Sequence, residues 1–210
     1  TREKNYRYAC EAFSKVPVKP GKKKRVGITG EIYMKYSQLG NDDIESFLLR
    51  QGMEPYSGGF VNYCLYLVDT ERYKAEKYQQ NPIMAKACAF VLHRLCEAQK
   101  HLLTVIGETD RFQTDLPFPE LKEKVQGILA EGCNTGDGWL IAAEVIQYVE
   151  KGCGSVLILH PFGCLVSHVC ERGILQRLHA RFPDVSIQTI EYDYDQSKTL
   201  RESRILLAIS

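Results

Sequence analysis

The chain has 210 residues, of which 44% are apolar and 25% are charged, and its formal net charge is +1. This length and composition are typical of one globular domain, alone or with an insertion, and they exclude wholesale disorder, collagen and low-complexity sequence. No apolar run approaches the roughly 18 residues of a transmembrane helix, so the sequence predicts no membrane partner.

The charge is unevenly distributed along the chain. Residues 1–25 carry nine Lys or Arg against two Glu, whereas the remainder has a net charge of −6. The basic run at residues 22–25 could contact phosphate, but such a run more often protects a strand edge from unwanted pairing. A nucleic-acid reader needs a basic face, so we predict no nucleic-acid partner and interpret residues 1–24 as a basic leading segment. Because the chain opens at Thr1 without an initiator Met, we expect it to be part of a larger protein.

Eight cysteines are an unusually high count. No Cys-x-x-Cys pair occurs and no secretory signal is visible, which argues against a zinc ribbon, a thioredoxin-like site and a disulfide framework. Free cysteines commonly serve as small buried apolar residues. We predict that role for Cys10, Cys64, Cys88 and Cys96, and we expect a reducing, cytoplasmic location.

Apolar strands alternate with amphipathic helices at both ends of the chain. Such alternation predicts an α/β fold with a parallel sheet, and right-handed crossovers give a strand order of about 2-1-3-4. Asn41 is expected to cap the first helix, which stops at Gly52. The predicted elements are a strand from 25 running into a loop by 33, a helix after 41, a short strand at 53–56, a helix over 139–151, a strand over 155–160, a helix over 165–181, a strand over 185–190 and a helix over 201–208.

Residues 60–131 have a different, helical pattern. Apolar residues recur there at steps of three and four, and a loop with two prolines interrupts them. We interpret residues 25–210 as a single α/β domain that carries a helical insertion over about 60–131.

In an open parallel sheet, ligands bind outside the carboxyl ends of the strands. Three loops of this sequence follow such ends, and we expect them to share one rim. Their candidate side chains are Glu31, Lys35 and Asn41 in the first loop, His160 and Cys164 in the second, and Glu191, Asp193 and Asp195 in the third.

Cys164 is the most prominent candidate, because it stands where a strand gives way to a helix whose N-terminus would stabilise a thiolate. It could be a nucleophile paired with His160 or His168, a metal or iron–sulfur ligand, or a small residue in a tight turn. The segment Gly136-Asp137-Gly138 could cradle an anion on free backbone N–H groups, or could need glycine only for backbone freedom.

Several stretches resemble one family, the 2-hydroxyacyl-CoA dehydratase and activase group. Residues 26–35, followed by residues 39–41, are similar to its VGEIxxKxxxxxN stretch, residues 136–140 to a GEGW segment and residues 160–169 to a QPFGCLPNHV segment. Residues 190–193 and 204–207 resemble the family's ending. The similarity is to the C-terminal region of the large activase-related proteins akin to double-cubane cluster proteins.

The resemblance implies a flavodoxin-like α/β domain within an ATP-dependent iron–sulfur reductase or activator. It implies that Cys164 is a cluster ligand and that the domain supplies one wall of a site for low-potential electron transfer. Cofactor-binding roles are implied for Glu31, Lys35, Asn41, Gly136 and Gly138. The remaining cluster cysteines and the ATPase module would lie outside these 210 residues, so the isolated chain is expected to be inactive.

The expected partners are other domains of a parent chain, a dehydratase or reductase, and a second copy in a homodimer. The alternative function is a non-catalytic docking module that binds acyl-CoA or another anion, with a structural Cys164. A third hypothesis is a hydrolase or transferase that uses Cys164 as its nucleophile.

Overall fold

The computed structural model describes residues 2–18, 21–109 and 111–210. Contacts divide the chain into two compact units. We name Thr1–Lys22 with Gly59–Glu120 the helical unit, and Lys23–Gly58 with Leu121–Ser210 the sheet unit. Residues 121–131, which the sequence assigns to the insertion, group with the sheet unit.

The sheet unit contains four parallel strands in the order β2-β1-β3-β4, which confirms the predicted α/β, flavodoxin-like sheet. The strands are β1 Arg25–Gly30, β2 Glu54–Tyr56, β3 Ser155–Pro161 and β4 Ser186–Tyr192. The helices of the whole chain are α1 Arg2–Ser14, α2 Ile32–Tyr36, α3 Ile44–Arg50, α4 Val61–Lys77, α5 Pro82–Gly107, α6 Phe118–Glu123, α7 Gly138–Glu150, α8 Arg172–Arg181 and α9 Lys198–Ile209.

Helices cover both faces of this sheet, as parallel strands require. Alternate side chains of the strands, such as Ile28 and Leu157, pack with α3 and α9 in one apolar cluster. The other face packs on α7, and Gly27 leaves room there, because a Cβ at this position would stand 2.8 Å from the Tyr148 ring. Trp139, the single tryptophan, is buried at the start of α7 and therefore reports on the sheet unit alone.

The predicted elements differ from the structure at several places. Helix α2, Ile32–Tyr36, lies where the sequence predicts a loop, and α9 begins at Lys198 rather than at 201. The helix expected over 165–181 opens with a π-helical turn, Ser167–Glu171, in which Arg172 N donates to Ser167 O five residues back. The residue directly before α3 is Asp43, in a left-handed conformation and without a capping hydrogen bond from its side chain, whereas Asn41, two residues earlier, accepts from Ile44 N. The basic leading segment contains helix α1, whose weak apolar pattern gave no signal for a helix.

The helical unit is built around the long antiparallel pair α4 and α5, with α1 against α5. A buried amide pair joins the two long helices, since Gln99 Nε2 donates to Asn62 Oδ1 at 2.6 Å. Gln99 Oε1 also accepts from Phe118 N at 2.9 Å. Within the described ranges, every helix is too short or too polar to cross a bilayer.

Candidate functional site

The three loops predicted to share a rim do lie at one edge of the sheet. β3 and β4 run side by side to their carboxyl ends, where Phe162 N donates to Tyr192 O at 2.8 Å. The Tyr192 hydroxyl donates to Asn41 O at 3.1 Å, which joins the loop after β1 to the end of β4. The carboxyl edge of the sheet therefore holds all three groups of candidate residues.

Glu31 is positioned by the glycine before it. Gly30 has φ +130°, and a Cβ there would stand 2.0 Å from Leu159 O, so β1 and β3 can approach at this point only with glycine. Glu31 N donates to Leu159 O at 2.8 Å, while its carboxylate caps α2 by accepting from Met34 N at 3.0 Å. The Glu31 side chain thus has a structural partner at the rim.

Lys35 forms a buried ion pair beneath this rim. Its Nζ lies 2.8 Å from both carboxylate oxygens of Glu144, and the two side chains are only 3% and 5% exposed. The Thr29 hydroxyl donates to the same carboxylate at 2.5 Å. Burial acts to lower the pKa of Lys35, but the Glu144 carboxylate outweighs it and holds that pKa well above its usual value. The Lys35 charge is therefore neutralised inside the protein.

Asn41 bridges two helices from a buried position. Its Nδ2 donates to Met34 O at 2.8 Å, and its Oδ1 accepts from Ile44 N at 3.3 Å, the first residue of α3. Although Asn41 is not the residue that flanks α3, its side chain satisfies one of the free amides of that helix. Any role of Asn41 or Lys35 in holding a cofactor stays a prediction.

Replacement of Asn41 by Ala is expected to lower the free energy of unfolding by about 1 to 3 kcal/mol, because it leaves buried backbone groups at Met34 and Ile44 without partners. Urea unfolding followed by Trp139 fluorescence measures this loss. The exposed Asn81, which caps α5, is the control, since its replacement lies outside the sheet unit. A loss at Asn41 of less than about 0.5 kcal/mol would contradict the bridging role.

Cys164 lies half-buried on the loop between β3 and the π-helical turn. Its backbone is fixed at both groups, because Cys164 N donates to Pro161 O and Cys164 O accepts from His168 N at 3.1 Å. The Ser167 hydroxyl donates to Cys164 Sγ at 3.1 Å. The thiol is thus held at the rim and accepts a hydrogen bond, an arrangement that suits a sulfur bearing negative charge.

The neighbouring histidines form a pair of their own. The rings of His160 and His168 lie 5.6 Å apart, edge to face. His160 is fully buried, burial lowers its pKa, and its Nε2 has no hydrogen-bond partner among the described residues. In the part of the chain that the structure describes, the hydrogen bond to Cys164 Sγ comes from Ser167 and not from either histidine. A catalytic Cys–His pair therefore has no geometric support here.

Two buried carboxyl groups lie behind the Cys164 loop. Burial raises the pKa of Asp137 to about 7, and the negative charge of Glu31 adds to this effect. Burial also raises the pKa of Glu171 to about 8. The negative charges of Asp137 and Glu31 raise this pKa further, whereas the nearby Ser167 hydroxyl lowers it. Among the residues that the structure describes, neither carboxylate oxygen of Glu171 has a hydrogen bond of normal geometry. At neutral pH, both carboxyl groups can hold a proton close to the thiol loop.

The Gly136–Gly138 segment packs against that same loop. A Cβ on Gly136, where φ is +57°, would stand 3.1 Å from the Val166 side chain, and Gly138 has φ +34°. These conformations explain both glycines through backbone freedom. The Nδ2 of the buried Asn134 lacks a hydrogen-bond partner among the described residues. An anion-binding role for Gly136 and Gly138 stays a prediction.

The other cysteines do not complete a metal site. Cys170 is buried, and burial together with the nearby Cys133 thiol raises its pKa. Among the described residues, no group of three or more His, Cys, Asp or Glu side chains is arranged to hold a metal ion. Cys64, predicted to be buried, is exposed, whereas Cys10, Cys88 and Cys96 are half-buried.

Sequence reasoning missed Glu144 and Glu171, the two acids with the most unusual surroundings. A signal was present in each case. Glu144 follows Leu140 by four residues on the apolar face of α7, and Glu171 precedes Ile174 and Leu178 by three and seven. A charged residue at a core position of a helix marks a buried polar contact.

Exposed apolar side chains lie close to Cys164 in the sequence. Phe162, Leu165 and Val169 are each more than half exposed and flank Cys164 along the chain. Single exposed apolar residues are ordinary, but a group of them close together in the chain is typical of a surface that contacts a partner.

Comparison of the chain with protein-family models, with curated proteins and with solved structures found no match. The α/β, flavodoxin-like fold is shown by the order of the strands in the structure. Because no comparison found a match, the resemblance to the 2-hydroxyacyl-CoA dehydratase and activase group stays a prediction.

Proposed function

We propose that this chain supplies one thiolate ligand, Cys164, and one protein wall to an iron–sulfur site that it shares with another protein surface. The observation that carries the proposal is the half-buried Cys164 thiol, fixed on a strand-end loop and hydrogen-bonded by Ser167. Thiolates in such loops are the usual ligands of iron–sulfur clusters, and hydrogen bonds to their sulfur tune the reduction potential.

The donor set fits a shared cluster and not a complete one. Clusters of this type usually need four thiolates. Among the described residues, Cys164 is a half-buried cysteine on a strand-end loop, and no group of three or more possible ligands is arranged to hold a metal ion. Cys133 and Cys170 lie nearby, but Cys170 is buried and its pKa is raised, which disfavours the thiolate. The missing ligands would therefore come from other domains of a parent chain or from a partner.

The rim around Cys164 supports such sharing. Phe162, Leu165 and Val169 offer an apolar surface that a second protein could cover, and covering it would exclude water from the thiol. When bound, an iron–sulfur cluster supplies transfer of single electrons at low potential.

The chain's own residues have definite tasks in this proposal. Ser167 donates its hydroxyl hydrogen to Cys164 Sγ and stabilises negative charge there. The pKa of Glu171 is raised to about 8, so Glu171 keeps its proton at neutral pH and adds little negative charge behind the thiolate, whereas Asp137, whose pKa is about 7, is about half ionised there. The Glu144 carboxylate holds the segment after β1 in place, because it accepts hydrogen bonds from Lys35 and from Thr29.

The wider system follows from the family resemblance. The electron would come from an ATP-hydrolysing activator and pass to a dehydratase or reductase of the 2-hydroxyacyl-CoA type, in the cytoplasm. ATP would act only through an ATPase module outside these 210 residues.

Replacement of Cys164 by Ser tests the ligand role. The full gene product is reconstituted anaerobically with iron and sulfide, and iron, sulfide and visible absorption are measured. We expect the variant to retain several-fold less iron than the wild type, because serine oxygen is a poor ligand for these clusters. Cys88→Ser is the matched control, since Cys88 is equally half-buried but lies on α5.

Equal iron content and equal spectra in wild type and Cys164→Ser would overturn the proposal. A second measurement guards against simple misfolding, because Trp139 is buried in the same unit. Its fluorescence should be unchanged in Cys164→Ser, so that loss of iron is separated from loss of structure.

The apolar rim also favours a second candidate, a docking module without a cluster and with a structural Cys164. This function predicts that a coenzyme A ester or a protein partner binds wild type and Cys164→Ser equally well. Binding of a coenzyme A ester by calorimetry, unchanged by the substitution and without bound iron, would favour it.

A further inference from the structure

Cys133 and Cys170 are neighbouring thiols that the proposed iron–sulfur site does not use. The structure carries all eight cysteines as free thiols. Burial raises the pKa of Cys170, and the Cys133 thiol raises it further, in part through a hydrogen bond between the two side chains. A hydrogen bond between two thiols places their sulfur atoms next to each other. The sheet unit therefore holds a pair of sulfurs beside each other.

The two segments that carry these thiols also pack against each other. Cys133 lies before α7, and its backbone is held there because Cys133 O accepts from Trp139 N at 2.8 Å. Cys170 lies in the π-helical turn, which contacts α7. A Cβ on Gly136 would stand 3.1 Å from the side chain of Val166, the residue directly before that turn. Backbone packing as well as side-chain orientation thus brings the pair together.

The two thiols differ in their access to solvent. Cys133 is half-buried, whereas Cys170 is only 8% exposed. The raised pKa keeps Cys170 protonated and disfavours its direct reaction with a solute. In such a pair, the more accessible thiol reacts first with an external disulfide, and its buried neighbour then displaces the bound group.

We infer that Cys133 and Cys170 form a redox site that reduces a low-molecular-weight disulfide such as oxidised glutathione. The Cys133 thiolate attacks one sulfur of that disulfide, whose S–S bond breaks, so that one solute thiolate leaves and Cys133 carries a mixed disulfide. The Cys170 thiolate then attacks Cys133 Sγ, and the second solute thiolate leaves. The two protein thiols give up two electrons and two protons, which convert the solute disulfide into two thiols.

Cys164 lies close to this pair but is not part of it. Its effect on the pKa of Cys170 is weaker than that of Cys133, and the Ser167 hydroxyl donates to its sulfur. We therefore expect Cys164→Ser to form the same Cys133–Cys170 bond. This redox site does not depend on the proposed iron–sulfur site, and either can fail without the other.

Mapping of disulfides tests the inference. The folded wild type is equilibrated with mixtures of reduced and oxidised glutathione, free thiols are alkylated, and linked peptides are identified by mass spectrometry. We expect a peptide pair joined through Cys133 and Cys170, formed at a glutathione ratio at least about tenfold more reducing than in urea, because the fold holds the two sulfurs together. The exposed Cys64, in the helical unit, is the internal control for reaction with glutathione.

Two variants test the order of the steps. Cys170→Ala should trap the first step and leave glutathione on Cys133, whereas Cys133→Ser should leave the buried Cys170 reduced. Trp139 fluorescence should show that both variants are folded. A wild type in which both thiols stay free, in which Cys133 only carries glutathione, or in which Cys170 is joined to Cys164 overturns the inference.

Discussion

Replacement of Lys35 by Met is expected to lower the free energy of unfolding of the sheet unit by about 3 to 5 kcal/mol, because it leaves the buried Glu144 carboxylate without its counter-charge. Among the residues that the structure describes, the Thr29 hydroxyl would then be the remaining hydrogen-bond donor to that carboxylate. Urea unfolding followed by Trp139 fluorescence measures the effect, since Trp139 lies in the same unit.

The double variant Lys35→Met/Glu144→Leu separates an unpaired charge from lost packing. We expect it to recover most of the stability, because an apolar pair of similar volume often replaces a buried ion pair at little cost. Lys198→Met is the control, since the exposed Lys198–Glu202 pair should contribute well under about 1 kcal/mol. A double variant that is less stable than Lys35→Met would refute this account.

The same double variant bears on function. If Lys35 only supports the fold, the restored double variant should retain as much iron as the wild type. If Lys35 holds a cofactor through its charge, as the family resemblance implies, the double variant should be stable and yet lose the cofactor.

Replacement of Glu171 by Gln is expected to change how stability depends on pH. The pKa of Glu171 is about 8 in the folded protein against 4.5 for an ordinary glutamate, so the folded state binds the proton more tightly. Stability contributed by this proton is present below about pH 4.5 and is lost as the pH rises toward 8. The penalty above pH 8 is on the order of 4 kcal/mol, and Glu171→Gln removes it because the amide carries no charge.

Urea unfolding at pH 5 and pH 8.5 provides the measurement. Wild type and Glu171→Gln should have similar stability at pH 5, and the variant should be more stable at pH 8.5. Asp137, whose pKa is about 7, should still lower the stability of both proteins as the pH rises from about 4 to 7. Glu97→Gln, at an exposed position, is the control. Parallel pH profiles for wild type and Glu171→Gln would show that Glu171 does not hold its proton as proposed.

The sheet could be predicted from sequence because buried parallel strands are continuous runs of apolar residues. The apolar run of β3 and the alternation of strands with helices indicate a parallel sheet, and chain connectivity then gives its order. The predicted start of α3 lies two residues too early. Asp42 and Asp43 both adopt φ 53°, a left-handed conformation that the residue types alone do not indicate. Helix α1 was missed since it buries no residue and so has no apolar face to detect.

The rim could be predicted from topology, but its electrostatics could not. Parallel strands bring their carboxyl ends to one edge, so the grouping of Glu31, Asn41 and Cys164 followed from the order of elements. The half-buried position of Cys164 agrees with that expectation. The Lys35–Glu144 ion pair joins residues that are 109 positions apart, and the burial of Glu171 depends on a local π-helical turn. The periodicity of apolar residues indicates neither feature.

The π-helical turn at Ser167–Glu171 has a consequence for how this site could change. Such a turn holds one residue more than regular winding, so loss of a single residue within it would restore an α-helix without shortening β3 or α8. Because the widened turn takes up the extra residue, the chain on either side would keep its orientation after such a deletion. Cys164 would then stay at the end of β3, whereas Ser167 and Glu171, which lie within the turn, would change their positions relative to it.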